Sequence, residues 1–123
     1  MTVRNATRNV ELGGRVRVAG SLVERAIGLL STRSLGAGEG LYLTPCKSIH
    51  TFFMRYPIDV LFIDAQGAVL SEDTLMPWKM SAWHAQSKGT LEFAAGTLQR
   101  TGTQVGDHIE MKDLPAGRRG HGV

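Results

Sequence analysis

Four side chains stand out in this sequence as candidates for chemistry: Cys46, His50, Asp59 and His84. The first three lie in the stretch "CKSIHTFFMRYPIDVLFID", residues 46–64, between runs of large apolar residues. A cysteine and a histidine spaced C-x3-H are ligands a tetrahedral zinc accepts, and Asp59 or His84 could extend the set. No C-x-x-C or H-x-x-x-H doublet accompanies them, so no metal is expected, and Cys46 and His50 remain the candidates for one. The same residues could form a nucleophile–base pair, Cys46 with His50 or His84, oriented by Asp59. A thiol among apolar residues is more often an inert small hydrophobe. Asp59, beside Ile58 and Val60, must be hydrogen-bonded or paired wherever it is buried, because an isolated buried carboxylate is costly. Its partners are expected in the backbone of the Arg55–Pro57 turn or in an arginine. The functional alternative is a ligand anchor or general base with a displaced pKa.

A second group offers surface rather than proton transfer. "MPWKMSAWH", residues 76–84, places two tryptophans, two methionines, Lys79 and His84 within nine residues. Tryptophan brings area and an N–H donor, and methionine adapts its shape to a partner. Such a loop either closes the end of a β sandwich or forms an adaptable binding surface. With Met54, Arg55 and Asp59 of the first stretch, residues Trp78, Lys79, Trp83 and His84 make the expected ligand-binding set. Its place is a pocket between the hairpin 46–64 and the loop 76–86.

Pattern and turn chemistry give the elements that must position these residues. "NVELGGRVRVAG" alternates and reads as a hairpin turning at Gly13–Gly14. "SLVERAIGLLS" has Ser21 and Glu24 at capping-box spacing and apolar residues near helical spacing, which predicts a short helix at about 21–31. "LYLT" is a short strand closed by Pro45. "IHTFFM" and "IDVLFID" read as two strands joined at Arg55-Tyr56-Pro57, where proline cannot donate to a ladder. "AQG" turns the chain into the strand "AVLSEDTLM", and "PWKMSAWHAQSKG" is a long loop. "TLEFAAG" and "VGDHIEM" are further strands, with a helical turn in "TLQRTG" between them. "VLFI" is apolar on both faces, so it is expected at the centre, covered by the other sheet and by the helix. Pairing Met54 with Ile58 would put His50 and Asp59 on opposite faces, and a shift by one residue would reverse that. Eight or so short strands with one proper helix predict a mainly β fold, an antiparallel sandwich or barrel with one short α-helix near residues 21–31.

Several of these stretches, in order, resemble a known family. A strand–turn–strand of the form F-[WF]-M, two residues, P-[IL]-D-[VI], then F-[IL]-D is similar to the pattern of DUF192, also called UPF0127, uncharacterised proteins of bacteria and archaea. "ERAIGLL" resembles its E-R-x-x-G-L-M, "GEGLYL" its G-x-G-M-L-F, "LEFAAGT" its L-E-L-P-A-G-T and "VGDHIEM" its V-G-D-x-V-x-L. The resemblance spans about residues 10–111. It implies a jelly-roll-like β sandwich carrying one helix, and it implies no particular reaction, since no activity is attached to the family. The chain departs from the pattern at Arg55–Tyr56, where the family has lysine and asparagine, and at Ala95, where it has proline. Trp78 or Trp83 could fill the place of a tyrosine often found after the central hairpin.

Composition sets the outer limits. The 123 residues, 42% hydrophobic and 20% charged, fit one domain with one core, and fifteen glycines suit a turn-rich β protein. Residues 10–112 are expected to form that domain, with a flexible N-terminus at 1–9 and a disordered Gly/Arg-rich tail at 113–123. The net charge is +3, with Arg4, Arg8, Arg15, Arg17 and Arg25 early in the chain. No long run of like charge and no aromatic–basic repeat accompanies them, so no nucleic-acid partner is expected. No apolar run approaches the roughly 18 residues of a membrane span. A single cysteine and a start without an apolar leader point to the cytoplasm. No cofactor is expected. The favoured reading is a binding module that holds a small molecule, sugar or peptide. The alternatives are a hydrolase using His50 or His84 with Asp59, and a scaffold or assembly protein whose exposed tryptophans meet a protein partner.

Overall fold

The computed structural model describes residues 1–19, 35–52 and 54–113. The helix expected at 21–31, Phe53 and the tail from residue 114 onward lie outside the described residues. Among those described, the strands are β1 (Thr2–Asn5), β2 (Val10–Gly13), β3 (Arg15–Ala19), β4 (Glu39–Leu43), β5 (Ile58–Ile63), β6 (Val69–Leu75), β7 (Gly89–Ala94) and β8 (Ile109–Lys112). A short helix, α1 (Thr97–Thr101), follows β7. The strands form a three-stranded sheet, β2–β1–β8, and a five-stranded sheet, β3–β4–β7–β5–β6. The protein is thus a mainly β, sandwich-like molecule. One pair breaks the antiparallel rule: β3 and β4 run parallel, Val16 opposite Gly40.

Alternation along β5 explains two separate cores. Every residue of this strand is buried. Leu61 and Ile63 join Val3, Leu12, Val16, Leu91, Phe93, Leu98 and Ile109 between the sheets. Ile58, Val60 and Phe62 point the other way and join Leu41, Leu43, Leu75, Cys46, Ile49 and Met54. Each such side chain contributes about 1.5–3 kcal/mol on leaving water. The first core depends on a missing side chain at Gly40, where a Cβ would stand 2.8 Å from the Phe93 ring.

Three expectations change. Gly13–Gly14 is a corner between sheets rather than a hairpin turn, because Leu12 and Val16 enter the same core from opposite sheets. The hairpin on this side is β1–β2, closed by residues 6–9 with Asn9 at φ 56. The first residues, expected to lie outside the domain, supply the middle strand of the smaller sheet. Val3 and Asn5 are fully buried there, and two inward residues were too short a pattern to announce a strand. No strand is formed by the described residues of "IHTFFM": both edges of β5 are taken by β6 and β7, and of these residues only His50 enters a bridge, opposite Met80. The expectation of a central "VLFI" holds: β5 is an interior strand, paired on both edges and buried on both faces, and its neighbour β7 is buried nearly as deeply despite Thr90 and Glu92.

Candidate functional site

The outer face of the five-stranded sheet carries the segment 44–57, anchored by Cys46, Ile49 and Met54 in the second core. Its edge is zipped to the segment 76–88. Thr51 N–H donates to the Lys79 carbonyl at 2.8 Å, Ser81 N–H to Ile49 at 2.8 Å, and His84 N–H to Lys47 at 2.8 Å. The expected pocket between the two segments is therefore replaced, along this line, by direct pairing. Thr51 is fully buried and is the hub of the join. Its hydroxyl donates to the Met76 carbonyl at 2.6 Å and accepts the Lys79 N–H at 2.8 Å, so it bridges the first and fourth residues of the turn Met76–Lys79. Its own carbonyl accepts the Trp78 N–H at 2.9 Å.

Pro77 suits the second place of such a turn, but the third place wants glycine, because it needs positive φ. Trp78 occupies it at φ 64. Left-handed backbone in a bulky residue costs about 1–3 kcal/mol and persists where the surroundings enforce it. Here the enforcement is Thr51, and its effect is to hold a tryptophan outward. Trp78 is 59% exposed, Met80 65% and Trp83 71%. Phe52 stacks between His50, at 4.6 Å between ring centroids, and Trp78, at 5.9 Å. His84 lies over Phe62 at 4.2 Å. Arg55 and Lys79 are exposed, and neither has a carboxylate partner among the described residues. The face is apolar and aromatic with Lys79 among its exposed residues, while Asp73 and the buried Glu92, both opposite Val60, project to the same side of the sheet.

Of the expected ligand set, Trp78, Lys79, Trp83, His84 and Arg55 thus stand on or beside one face, with Met54 buried beneath it. Asp59 does not join them. It belongs to the side of β5 that carries Leu61, so the sheet stands between it and the histidines. Its carboxylate is saturated: Oδ2 accepts the Gly96 N–H at 3.0 Å and the Leu98 N–H at 2.8 Å, and Oδ1 accepts the Thr74 hydroxyl at 2.6 Å. The donors were expected in the Arg55–Pro57 turn; they come instead from the start of α1, which has no side-chain cap of its own. Asp59 is that cap, supplied from another strand. A His50–Asp59 or His84–Asp59 catalytic pair is not formed.

Cys46 is buried, and its thiol donates to the Ser48 carbonyl at 3.3 Å. Among the described residues no three of His, Cys, Asp and Glu gather closely enough to hold a metal ion. Sequence reasoning placed Phe52 beneath the rim with Met54, and missed Thr51 as the hub and His50 as a stacking partner. The readable hint was M-P-W-K, a turn sequence with its proline correctly placed and tryptophan where glycine belongs. It also missed Glu92, a buried carboxylate inside "TLEFAAG". Burial first, and then the Glu92 charge, push the Tyr56 phenol above its ordinary pKa of 10.0. A separate open groove of about 740 Å³ lies between the sheets' edges, lined by Glu11, Leu12, Gly38, Ala94, Gly96 and Arg100 among others. No residue of the expected set lines it.

Comparison with known proteins agrees with this architecture. The chain is 32% identical over 111 residues to a UPF0127 protein of Pyrococcus horikoshii, covering 86% of this chain and 95% of that one. A UPF0127 protein of Pyrococcus abyssi is 30% identical, with 86% and 93% covered. A solved structure of a protein of unknown function from Novosphingobium aromaticivorans superposes with a TM-score of 0.75 at 22% identity, covering 89% of this chain and 82% of that chain. The family model DUF192, described as "Uncharacterized ACR", matches residues 2–111. The chain belongs to the DUF192 (UPF0127) family.

Proposed function

We propose that this protein is a binding module without a reaction of its own, and that its ligand surface is the face built by residues 46–57 and 76–86. The ligand would be a small organic molecule, a sugar or a peptide, and the cytoplasm its place of action. One observation supports the reading above others. A tryptophan is kept in a left-handed turn position by a buried threonine, and it shows more than half its surface to solvent. A fold under selection for stability alone would place glycine there, so the cost points to a use for the ring. The company of Trp83, Met76, Met80 and the His50–Phe52 stack gives that ring an extended apolar neighbourhood. Exposed aromatic and methionine side chains in one patch are the composition of contact surfaces.

The test is a thermal-shift screen of the full chain against sugars, nucleotides, small aromatics and short peptides. A ligand present at about 100 times its Kd should add roughly 2.7 kcal/mol of stability. The reading expects at least one hit in those classes, lost in Trp78→Gly. Hits that persist in that variant would move the ligand surface elsewhere.

A further inference from the structure

We propose that the outer edge of residues 79–81 is a strand-pairing edge that receives an acidic peptide in extended conformation. This rests on the reading of the surrounding face as the ligand surface. The pairing geometry carries it. His50 and Met80 lie directly opposite one another in an isolated antiparallel bridge. The bonds that hold them come from their neighbours, Thr51 N–H to Lys79 and Ser81 N–H to Ile49. In such a pair the central residues' own N–H and C=O point away from the partner strand. The Met80 N–H and C=O accordingly make no hydrogen bond among the described residues. A donor and an acceptor on one exposed bridge residue are what an added strand exchanges bonds with.

Charge selects which peptide. The segments 44–57 and 76–88 contain Lys47, Arg55, Lys79 and Lys88 and no aspartate or glutamate. Lys47 is turned onto the Ala85 and Ser87 carbonyls. The other three have no carboxylate partner among the described residues. Of the acidic pair on the edge strand β6, Glu72 lies opposite Leu61 on the far side of the sheet, and Asp73 lies opposite Val60 on this side. Lys79, next to Met80 and without a carboxylate partner among the described residues, and the exposed Trp78, Met80 and Trp83 are complementary to a chain alternating acidic and apolar residues. Single-stranded nucleic acid would also meet cations and rings here. Its phosphates could accept the Met80 N–H but offer no N–H in strand register to the Met80 C=O, and His50 and Phe52 are already stacked with Trp78.

The experiment measures fluorescence anisotropy of labelled octapeptides with the full chain. The probes are a peptide alternating glutamate with leucine, its glutamine counterpart, two versions N-methylated at alternate residues in opposite registers, and an oligothymidylate of the same length. The parent peptide is expected to bind. Binding should fall about tenfold or more with the glutamine peptide, with at least one N-methylated register, and in Lys79→Glu. Met80→Pro should abolish it, and where that variant fails to fold the N-methylated peptides give the same answer from the other side. Equal binding of both N-methylated peptides and their parent would overturn strand pairing. The reading of the face would still stand if Trp78→Gly weakened them. Tighter binding of the oligothymidylate would overturn the peptide as occupant. Silence from every peptide, beside an organic ligand that needs Trp78, would sink the inference and spare the reading. Ligands that ignore Trp78 altogether would sink both.

Discussion

At the scale of single residues, Asp59 and Trp78 illustrate opposite uses of an unusual position. Asp59 looked like a site in sequence because it is a carboxylate among apolar residues. Its three hydrogen bonds make it the cap of α1 and a tie between β5 and β6. Asp59→Ala would leave two backbone N–H groups and a hydroxyl without their acceptor, and the expected loss is about 3 kcal/mol in urea unfolding. Trp78 is the reverse case. Trp78→Gly removes the ring but relieves the left-handed backbone, so stability should stay within about 1 kcal/mol of the parent while ligand response disappears. A much larger loss would make Trp78 a packing residue. The need for Asp59 to be bonded was legible from its neighbours. The identity of its donors was not, since Gly96 and Leu98 are remote in sequence and nothing local links them to it.

At the scale of elements, the central device is the turn Met76–Lys79 wrapped around the Thr51 hydroxyl. Thr51→Val keeps the shape and removes the hydroxyl that bridges Met76 C=O and Lys79 N–H. The expected cost is about 2 kcal/mol for an N–H and a C=O left unbridged. Trp78 should also loosen, read as a changed tryptophan emission in a protein that still folds. Unaltered emission would separate the threonine from the placement of the ring. The loop character of 76–88 was plain from its missing period, and so were β4, β6 and β7. "IHTFFM" was misread because its apolar content resembles a strand. What decides is whether a neighbouring edge is open, and β5 has none. The Gly13–Gly14 corner was misread for a similar reason: two glycines permit a hairpin and a sheet-to-sheet turn equally, and only the sharing of one core by Leu12 and Val16 selects the second.

At the scale of the molecule, a buried polar network ties β1 and the β1–β2 turn to the segment that leads from α1 into β8. Asp107 accepts from the Asn5 amide at 2.9 Å, the Arg8 Nε at 2.6 Å and the Gln104 N–H at 3.0 Å. Burial pushes the Asp107 carboxyl up, but the Asn5 and Arg8 side chains, the Gln104 N–H and the Arg8 charge outweigh it and hold it below the ordinary 3.8. A lowered folded pKa means that this stabilisation is complete above the ordinary carboxylate range and is lost as pH falls through the lowered value. Asp107→Asn should therefore be less stable than the parent at neutral pH, with the difference shrinking in acid denaturation below about pH 4. A constant difference across that range would remove Asp107 from the acid response. The early arginines, which invited an electrostatic reading, are partly absorbed in such contacts: Arg4 on Glu110, Arg8 on Asp107 and Arg15 on the Ala37 carbonyl. Mainly β architecture was legible because strand periods and turn residues are local. The mixed sheet and the place of β1 were not, because pairing partners are chosen across the whole chain. The central claim is that ligands meet this protein at the face of Thr51 and Trp78. Its most direct test is an amide NMR titration of the labelled full chain with the compound giving the largest thermal shift. Perturbed amides should cluster at residues 47–52 and 78–84; a cluster at Glu11, Gly38, Gly96 and Arg100 instead would contradict the account.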